Sequence, residues 1–432
     1  MRITIAIPTR ERAEFLAASL KTCVAVSDPD LEILVSDNAS ADNTRAVVES
    51  VVDARVRYVN TGRRVSQRQN FENAIAQSTG DYVMIIGDDD AVLPGQFARL
   101  RTLLETRKPA ALSWPALFYH WPGPEKRGGG GRLRIARRYL YGDVFSRTAE
   151  THLAAIARLE RAREDLSPKL YHGVLSRRVL EDLKAKTGQY LMSGQIDAYI
   201  AAAALDSMEA YDYVRHPFTI LAMGPKSGGS SVAAQFRAGD ANDTARLVAD
   251  EAEADPVIEP MRMPFPALGF YLLNGIEQAR RMAAKEQLHL DYGAYLGMIG
   301  EQLEKVSHPA RARGLELLEG LFRDIGQEEA MVPRLKALTQ HLANCPEPRP
   351  DRASASGLTW KQRFEALSMI EPHRIAIDLK PRGLATVDGA ARVADDLIGT
   401  APAGEGGMAI DAGMRWRGAL WRAATILAGR NP

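Results

Sequence analysis

The first 120 residues alternate between short apolar runs and longer stretches with helical spacing. Ile3 to Ile7, Glu32 to Ser36, Val56 to Val59 and Tyr82 to Ile86 predict strands. Glu11 to Cys23, Asn43 to Val52, Arg68 to Gln77 and Pro94 to Thr106 predict the helices between and after them, with Pro94 suited to a first turn. Ala110 to Phe118 adds one more strand. Strands alternating with helices predict βαβ units and a mostly parallel sheet. The runs lack polar alternation, as expected when helices cover both faces of that sheet.

A Gly-rich break follows, Trp121 to Gly131, and reads as a mobile loop. Ser146 to Glu164 predicts a helix, Tyr171 to Ser176 a strand, Arg177 to Lys184 a helix, Gly194 to Leu205 a helix, and Tyr211 to Met223 an extended segment. Gly224 to Ser231 reads as a second loop. Beyond about residue 236 helical periodicity dominates: Ala241 to Glu253, Phe265 to Lys285, Tyr292 to Val306, Pro309 to Phe322 and Glu328 to Leu342. Cys345 to Ser356 reads as a linker. The expected organisation is an α/β domain over 1–235 and a mainly α-helical region over 236–432.

A chain of 432 residues is too long for one ordinary domain, which agrees with that division. Hydrophobic content of 46% and charged content of 25% are those of a soluble globular protein. A net charge of +1 argues against bulk electrostatic binding to nucleic acid. Cys23 and Cys345 suggest neither a disulfide nor a metal framework and fit a reducing compartment. The chain opens directly on a strand, without a signal-peptide pattern, and no apolar run approaches a membrane span, so a cytoplasmic protein is expected. The tail over 414–430 mixes arginines with tryptophans. It suits peripheral contact with an anionic membrane face, or equally a terminal helix packed on its own domain.

Chemistry concentrates where the predicted strands end. Ile85-Ile86-Gly87-Asp88-Asp89-Asp90 delivers three carboxylates to the C-terminal end of a buried strand, the edge where open α/β sheets hold ligands. Carboxylates side by side repel unless a cation compensates, and oxygen donors without nearby Cys or His favour Mg²⁺ or Mn²⁺. An aspartate capping the next helix is the plainer alternative, but that role needs only one. Pro8-Thr9-Arg10-Glu11-Arg12 follows the first strand, and Ser36-Asp37-Asn38-Ala39-Ser40 with Ala41-Asp42-Asn43-Thr44 follows the second. Three polar strand ends on one edge describe a nucleotide-sized site.

Over about its first 235 residues the chain resembles the GT-A fold glycosyltransferases of family 2. The resemblance rests on Ile7 to Leu16, on Val35 to Thr44, on Asn70, Ala74 and Gly80-Asp81-Tyr82, and on Asp88-Asp89-Asp90, in the family's order. It implies a Rossmann-like, mostly parallel sheet with flanking helices. It also implies an inverting, metal-dependent transfer of a hexosyl or N-acetylhexosaminyl group from a nucleoside diphosphate sugar, usually UDP-linked. The acceptor would be a saccharide or lipid-linked saccharide of a surface polysaccharide. Pro8, Thr9, Glu11, Asn38 and Asn70 would line the donor pocket, and Asp37 would accept from the base. Asp88 and Asp89 would meet ribose and diphosphate. Either Asp89 or Asp90 would ligate the metal, and a late histidine, His216, would complete its shell. Glu11 stands where asparagine is more usual, which leaves the base open. Similar enzymes carry an acidic pair before the acceptor. Here Gln195-Ile196-Asp197 leaves Asp197 as the candidate base, beside the plainer reading of a first-turn helix aspartate.

His172 could touch an acceptor or pack within its strand; Arg63, Arg64 and Arg68 could face phosphate or solvent; Lys226 could sit in a closing lid or a linker. The C-terminal helices carry no chemistry legible here and leave acceptor shaping, homo-oligomer formation and docking open. Two other functions share these features. A nucleotidyltransferase also joins a nucleotide-binding sheet to carboxylates, but usually opens with a glycine-rich loop, which Pro8 to Arg12 lacks. A non-catalytic nucleotide-sugar or glycan scaffold would not need the aspartates.

Overall fold

The computed structural model describes residues 1–122, 131–136, 140–158, 167–224, 268–282, 288–346, 374–380 and 383–399. The Gly-rich residues 123–130, the Lys226 loop, the helix expected over 241–253, most of the 345–356 linker and the 414–430 tail lie outside them.

The N-terminal alternation forms as expected. The elements are β1 (Ile3–Thr9), α1 (Ala13–Val24), β2 (Leu31–Asp37), α2 (Thr44–Glu49), β3 (Val56–Asn60), α3 (Gln67–Gln77), β4 (Tyr82–Ile85), the two-residue β5 (Ala91–Val92) and, after a 3₁₀ turn at Pro94–Gln96, α4 (Phe97–Arg107). Local signals fix several ends. Ser66 caps α3 by accepting from the Gln69 amide while the Gln69 side chain accepts from the Ser66 amide, a reciprocal capping box. Next come β6 (Ala111–Ser113), β7 (Leu117–His120), β8 (Arg132–Ala136), β9 (Val144–Thr148), α5 (Ala149–Ala157), β10 (Gly173–Ser176), α6 (Arg177–Thr187), α7 (Ile196–Ala203), β11 (Ala210–Val214) and β12 (Thr219–Met223). The rest are α8 (Leu268–Met282), α9 (Tyr292–Leu303), α10 (His308–Asp324), α11 (Glu328–Asn344), β13 (Arg374–Asp378) and α12 (Val387–Ile398).

Two sheets result, in the orders β3-β2-β1-β4-β10-β6-β11-β9 and β13-β8-β7-β12-β5. In the larger, β3, β2, β1 and β4 are parallel, as is β6 with β11; β10 and β9 run the other way. Every residue of β1 and β2 is buried, because apolar clusters cover both faces.

Three expectations need correction. Ala110 to Phe118 is not one strand, nor is Tyr211 to Met223 one extended element. Each breaks at a proline, Pro115 or Pro217, and passes from the larger sheet into the smaller. Proline has no N–H to continue a ladder, so the chain changes partner there. The crossings brace each other: Trp114 Nε1 donates to Thr219 Oγ1 at 2.9 Å and its ring meets Phe218 edge-on. The helix expected over 146–164 is a strand through Thr148 and then α5, begun by the Thr148 cap.

Helices α8 to α11 share an apolar cluster with α6 and α7, and α8 lies along α7. Late in the chain, β13 pairs antiparallel with β8, and α12 packs on α1 and β5. Ile377, Leu379 and the apolar side of α12 therefore build part of the smaller sheet's core, together with Phe15 and Trp121.

Candidate active site at the C-terminal edge of the sheet

Strands β1 to β4 run in one direction, so Thr9, Asp37, Asn60 and the segment after Ile85 emerge on one edge. Gly87 turns the chain there. A side chain at Gly87 would come within 2.8 Å of both Asp90 Oδ2 and the Tyr171 hydroxyl. Only glycine admits so close an approach.

The three adjacent aspartates diverge. Asp90 points into the protein and is fully buried. Its Oδ2 accepts from the Gly87 amide at 2.7 Å, the Tyr171 hydroxyl at 2.5 Å and His172 Nε2 at 3.0 Å, while Oδ1 accepts from the Ala222 amide at 2.7 Å. Burial opposes its charge, but His172 and these donors outweigh that and hold its pKa below the ordinary carboxylate value. Three donors fill Oδ2 and one meets Oδ1, so a metal held by Asp90 would have to use the remaining Oδ1 lone pair or displace one of these donors. Asp90 ties β4 to the start of β10 and to β12.

Asp88 and Asp89 instead share one guanidinium. Arg12 Nη1 lies 2.8 Å from Asp88 Oδ1 and Nη2 lies 2.7 Å from Asp89 Oδ2; Thr9 Oγ1 donates to Asp88 Oδ2 at 2.6 Å. Asp89 Oδ2 is buried, and that shared guanidinium is its partner among the described residues. Burial pushes Asp88 up to about 6, with Arg12 opposing. Burial and then the Asp90 charge push Asp89 up to about 8. One arginine thus under-compensates two buried carboxylates. A hard divalent cation fits that deficit and that oxygen donor set.

The remaining candidates divide by what they touch. Asp37 is almost fully buried; its Oδ2 accepts from Tyr58 Oη at 2.6 Å and Asn60 Nδ2 at 3.0 Å, and its Oδ1 from the Ser40 amide at 3.1 Å. Asn38 clamps Val65 through both its amide atoms. Asn70 accepts from Ser36 Oγ at 2.8 Å and donates to the Ser36 carbonyl at 3.1 Å, locking α3 to the end of β2. Glu11 has a left-handed φ of 54° and joins two loops, accepting from the Ala41 amide while its own amide donates to Ser40 Oγ. Pro8 is buried in β1 beside Ser36. These residues shape the rim through internal bonds that a ligand would have to share.

Asp197 is exposed in the first turn of α7. The Tyr171 hydroxyl is raised well above its ordinary value by burial first, then by the charges of Asp90, Asp89 and Asp197. Asp197 is thus close enough to Tyr171 for its charge to act on that hydroxyl.

His216 does not join that centre as a ligand. Its Nδ1 accepts from the Tyr141 amide at 3.2 Å, so Nε2 carries the proton and donates to Gln96 Oε1 at 3.0 Å. Gln96 in turn donates to Asp395 on α12. Burial, then Arg99, hold His216 well below its usual pKa. With both nitrogens engaged it offers no lone pair, which corrects the expectation that it completes a metal shell. His216→Asn should lower Tm and leave any Mn²⁺-dependent thermal shift with nucleotide intact. Loss of the Mn²⁺ dependence alone would restore it as a ligand.

His172 is buried against Asp90, and Arg68 is buried with Nη1 on Gln189 and the Leu191 carbonyl, so neither acceptor nor phosphate contact applies to them. Arg63 and Arg64 are exposed. The reading by sequence missed Arg12, Tyr171 and Trp121, whose Nε1 donates to the Asp89 carbonyl at 3.0 Å. Arg12 lay inside a quoted motif. Tyr171 and Trp121 carried no signal, since only the fold brings them here. A separate open groove of about 1070 Å³ lies at the opposite edge, before β6 and β11; Arg107, Arg178 and Lys186 there pair with Asp212, Asp182 and Asp206. Its charges cancel locally, and the divergent aspartates mark the chemistry instead.

Residues 4–147 match the model of "Glycosyl transferase family 2". The chain is 31% identical over 102 residues to the GalNAc(5)-diNAcBac-PP-undecaprenol beta-1,3-glucosyltransferase of Campylobacter jejuni, covering 23% of this chain and 33% of that one. It is 30% identical over 112 residues to the abequosyltransferase RfbV of Salmonella typhimurium, covering 25% and 34%. The matches thus span about a third of the length of those relatives. The solved structure of S. aureus TarS 1-349 in complex with UDP-GlcNAc overlays at a TM-score of 0.42 with 13% identity, over 79% of this chain and 92% of that one.

Proposed function

We propose, for a chain whose residues 4–147 are a glycosyltransferase family 2 domain, that it moves a sugar from a nucleoside diphosphate sugar to a hydroxyl of a saccharide or lipid-linked saccharide, with inversion. The observation that carries this is the pair Asp88 and Asp89, buried at the strand edge with a single arginine shared between them. A lipid-linked acceptor in glycan assembly is supported by the undecaprenol-linked substrate in the name of one relative. A UDP-linked hexosyl or N-acetylhexosaminyl donor follows from the family likeness.

Departure of a diphosphate leaves negative charge that needs a fixed positive partner. Asp88 and Asp89 would hold Mg²⁺ or Mn²⁺, which would supply that charge. Thr9 fixes the Asp88 carboxylate through its hydroxyl. Arg12, freed in part from its carboxylates, would turn its guanidinium toward phosphate, for which its planar fork is suited. Asp197 would take the proton from the attacking hydroxyl. A base on the face opposite the leaving diphosphate would give inversion, which is the outcome the family likeness implies.

No helix among the described residues is long and apolar enough to cross a membrane. Contact with a lipid-linked acceptor would then be peripheral, at the inner membrane face; homo-oligomer formation stays compatible with it.

A thermal-shift panel of nucleotides and nucleotide sugars, with and without Mn²⁺ or Mg²⁺, tests the donor site, because a ligand of the folded state raises Tm by mass action. Stabilisation by one diphosphate, dependent on metal and lost in Asp88→Ala/Asp89→Ala, is expected. Asp197→Asn should keep that shift and lose sugar transfer by roughly 10²-fold or more. Silence toward every nucleotide, or full transfer by Asp197→Asn, would count against the reading.

A further inference from the structure

A second cluster of ligating side chains lies far along the chain, among the C-terminal helices. Glu304 caps the C-terminus of α9, His341 sits in the last turn of α11, and Cys345 caps that helix four residues later. The Glu304, His341 and Cys345 donor atoms all lie within 4.8 Å of one another, the one such trio among the described residues. His341 Nε2 is 2.6 Å from Glu304 Oε1 and 3.6 Å from Cys345 Sγ.

The geometry points to a zinc-binding site formed by Glu304, His341 and Cys345. Two ligands of one tetrahedral Zn²⁺, with Zn–N near 2.0 Å and Zn–S near 2.3 Å, stand about 3.5 Å apart. The sulfur–nitrogen separation already has that value. The carboxylate and imidazole, now hydrogen-bonded, need to part by less than about 1 Å to admit the ion. Thiolate, imidazole and carboxylate together suit a borderline-soft cation, unlike the oxygen-only set at Asp88 and Asp89.

The backbone carrying these donors is independently fixed. Arg311 on α10 is buried, and its guanidinium donates to the carbonyls of Leu303, Glu304, Leu342, Cys345 and Pro346. One side chain thus holds both helix ends in register, as a preorganised site requires. On binding, Cys345 releases its thiol proton to solvent, and the Nε2 proton that His341 now donates to Glu304 is lost to solvent while Nδ1 carries the ring's remaining proton, so that Nε2 donates its lone pair to the ion. Three protein ligands leave a fourth position for water. The ion would clip α9 to α11.

The full chain, stripped with EDTA and titrated with Co²⁺, tests the site, because a cysteine thiolate on Co²⁺ produces a near-ultraviolet charge-transfer band. The oxygen ligands at Asp88 and Asp89 cannot. The expected result is a band saturating at one equivalent, displaced by Zn²⁺, absent in Cys345→Ser and requiring at least about tenfold more Co²⁺ in His341→Ala. Zn²⁺ should raise Tm in the wild type and lose that increment in both variants, whose circular dichroism should match the wild type since neither side chain is buried. No band in the wild type, a band that survives Cys345→Ser, or one indifferent to His341→Ala would each overturn the assignment.

Discussion

Asp90→Ala should lower stability by about 3–5 kcal/mol, the cost of removing one partner from a buried charged network. The substitution orphans the Gly87 and Ala222 amides and leaves Tyr171 and His172 without their acceptor. A buried donor left unpaired loses the water it gave up and receives nothing in return. For a chain of this size the fall in Tm should be about 5 °C. Calorimetry of the purified variant reads it directly. A drop of only about 2 °C would mean that Asp90 is not the anchor the geometry describes.

Asp89→Asn, one residue away, should behave in the opposite manner. Burial pushes its carboxyl up to about 8, so ionising it in this place is costly, and its Oδ2 has only the Arg12 guanidinium, shared with Asp88, as partner among the described residues. An amide of the same shape removes the cost of burying that charge, while Arg12 keeps Asp88. Stability should therefore stay within about 1 kcal/mol of the wild type. Sugar transfer should fall by roughly 10²–10³-fold, as when one preorganised electrostatic partner is removed from a transition state. The metal-dependent thermal shift with nucleotide should vanish with it. The decisive comparison sets the two variants side by side: if Asp89→Asn melts as low as Asp90→Ala, the division of roles between these neighbours is mistaken. A carboxylate kept at the expense of stability is the usual mark of a functional group.

The edge itself was legible in the sequence. Polar residues after β1, β2 and β4 announced a shared rim, and the parallel pairing of those strands delivers it. The roles within the rim were less legible. Asn38, Asn70 and Asp37 look like ligand contacts in a motif, yet each is engaged in internal bonds. A short polar side chain near a strand end serves turn geometry and ligand binding equally well, and only its neighbours distinguish the two. His216 was misread for the same reason: its partners Tyr141 and Gln96 lie 75 and 120 residues away.

The sequence by itself determined the local elements of the N-terminal part and the order in which they alternate, because apolar periodicity, capping residues such as Ser66, and the turn at Gly87 act over a few neighbouring positions. Tertiary structure decided what has no local cause. Pro115 and Pro217 could be read as breaks, but not as gates between two sheets. Residues 374–398 could not be assigned to the smaller sheet from their composition. Three consecutive aspartates are indistinguishable as letters. They became an anchor and an incompletely neutralised pair because Tyr171, His172 and Ala222 lie on one side of the turn and Arg12 and Thr9 on the other. A carboxylate's state depends on the donors and the water around it, and those arrive from distant parts of the chain.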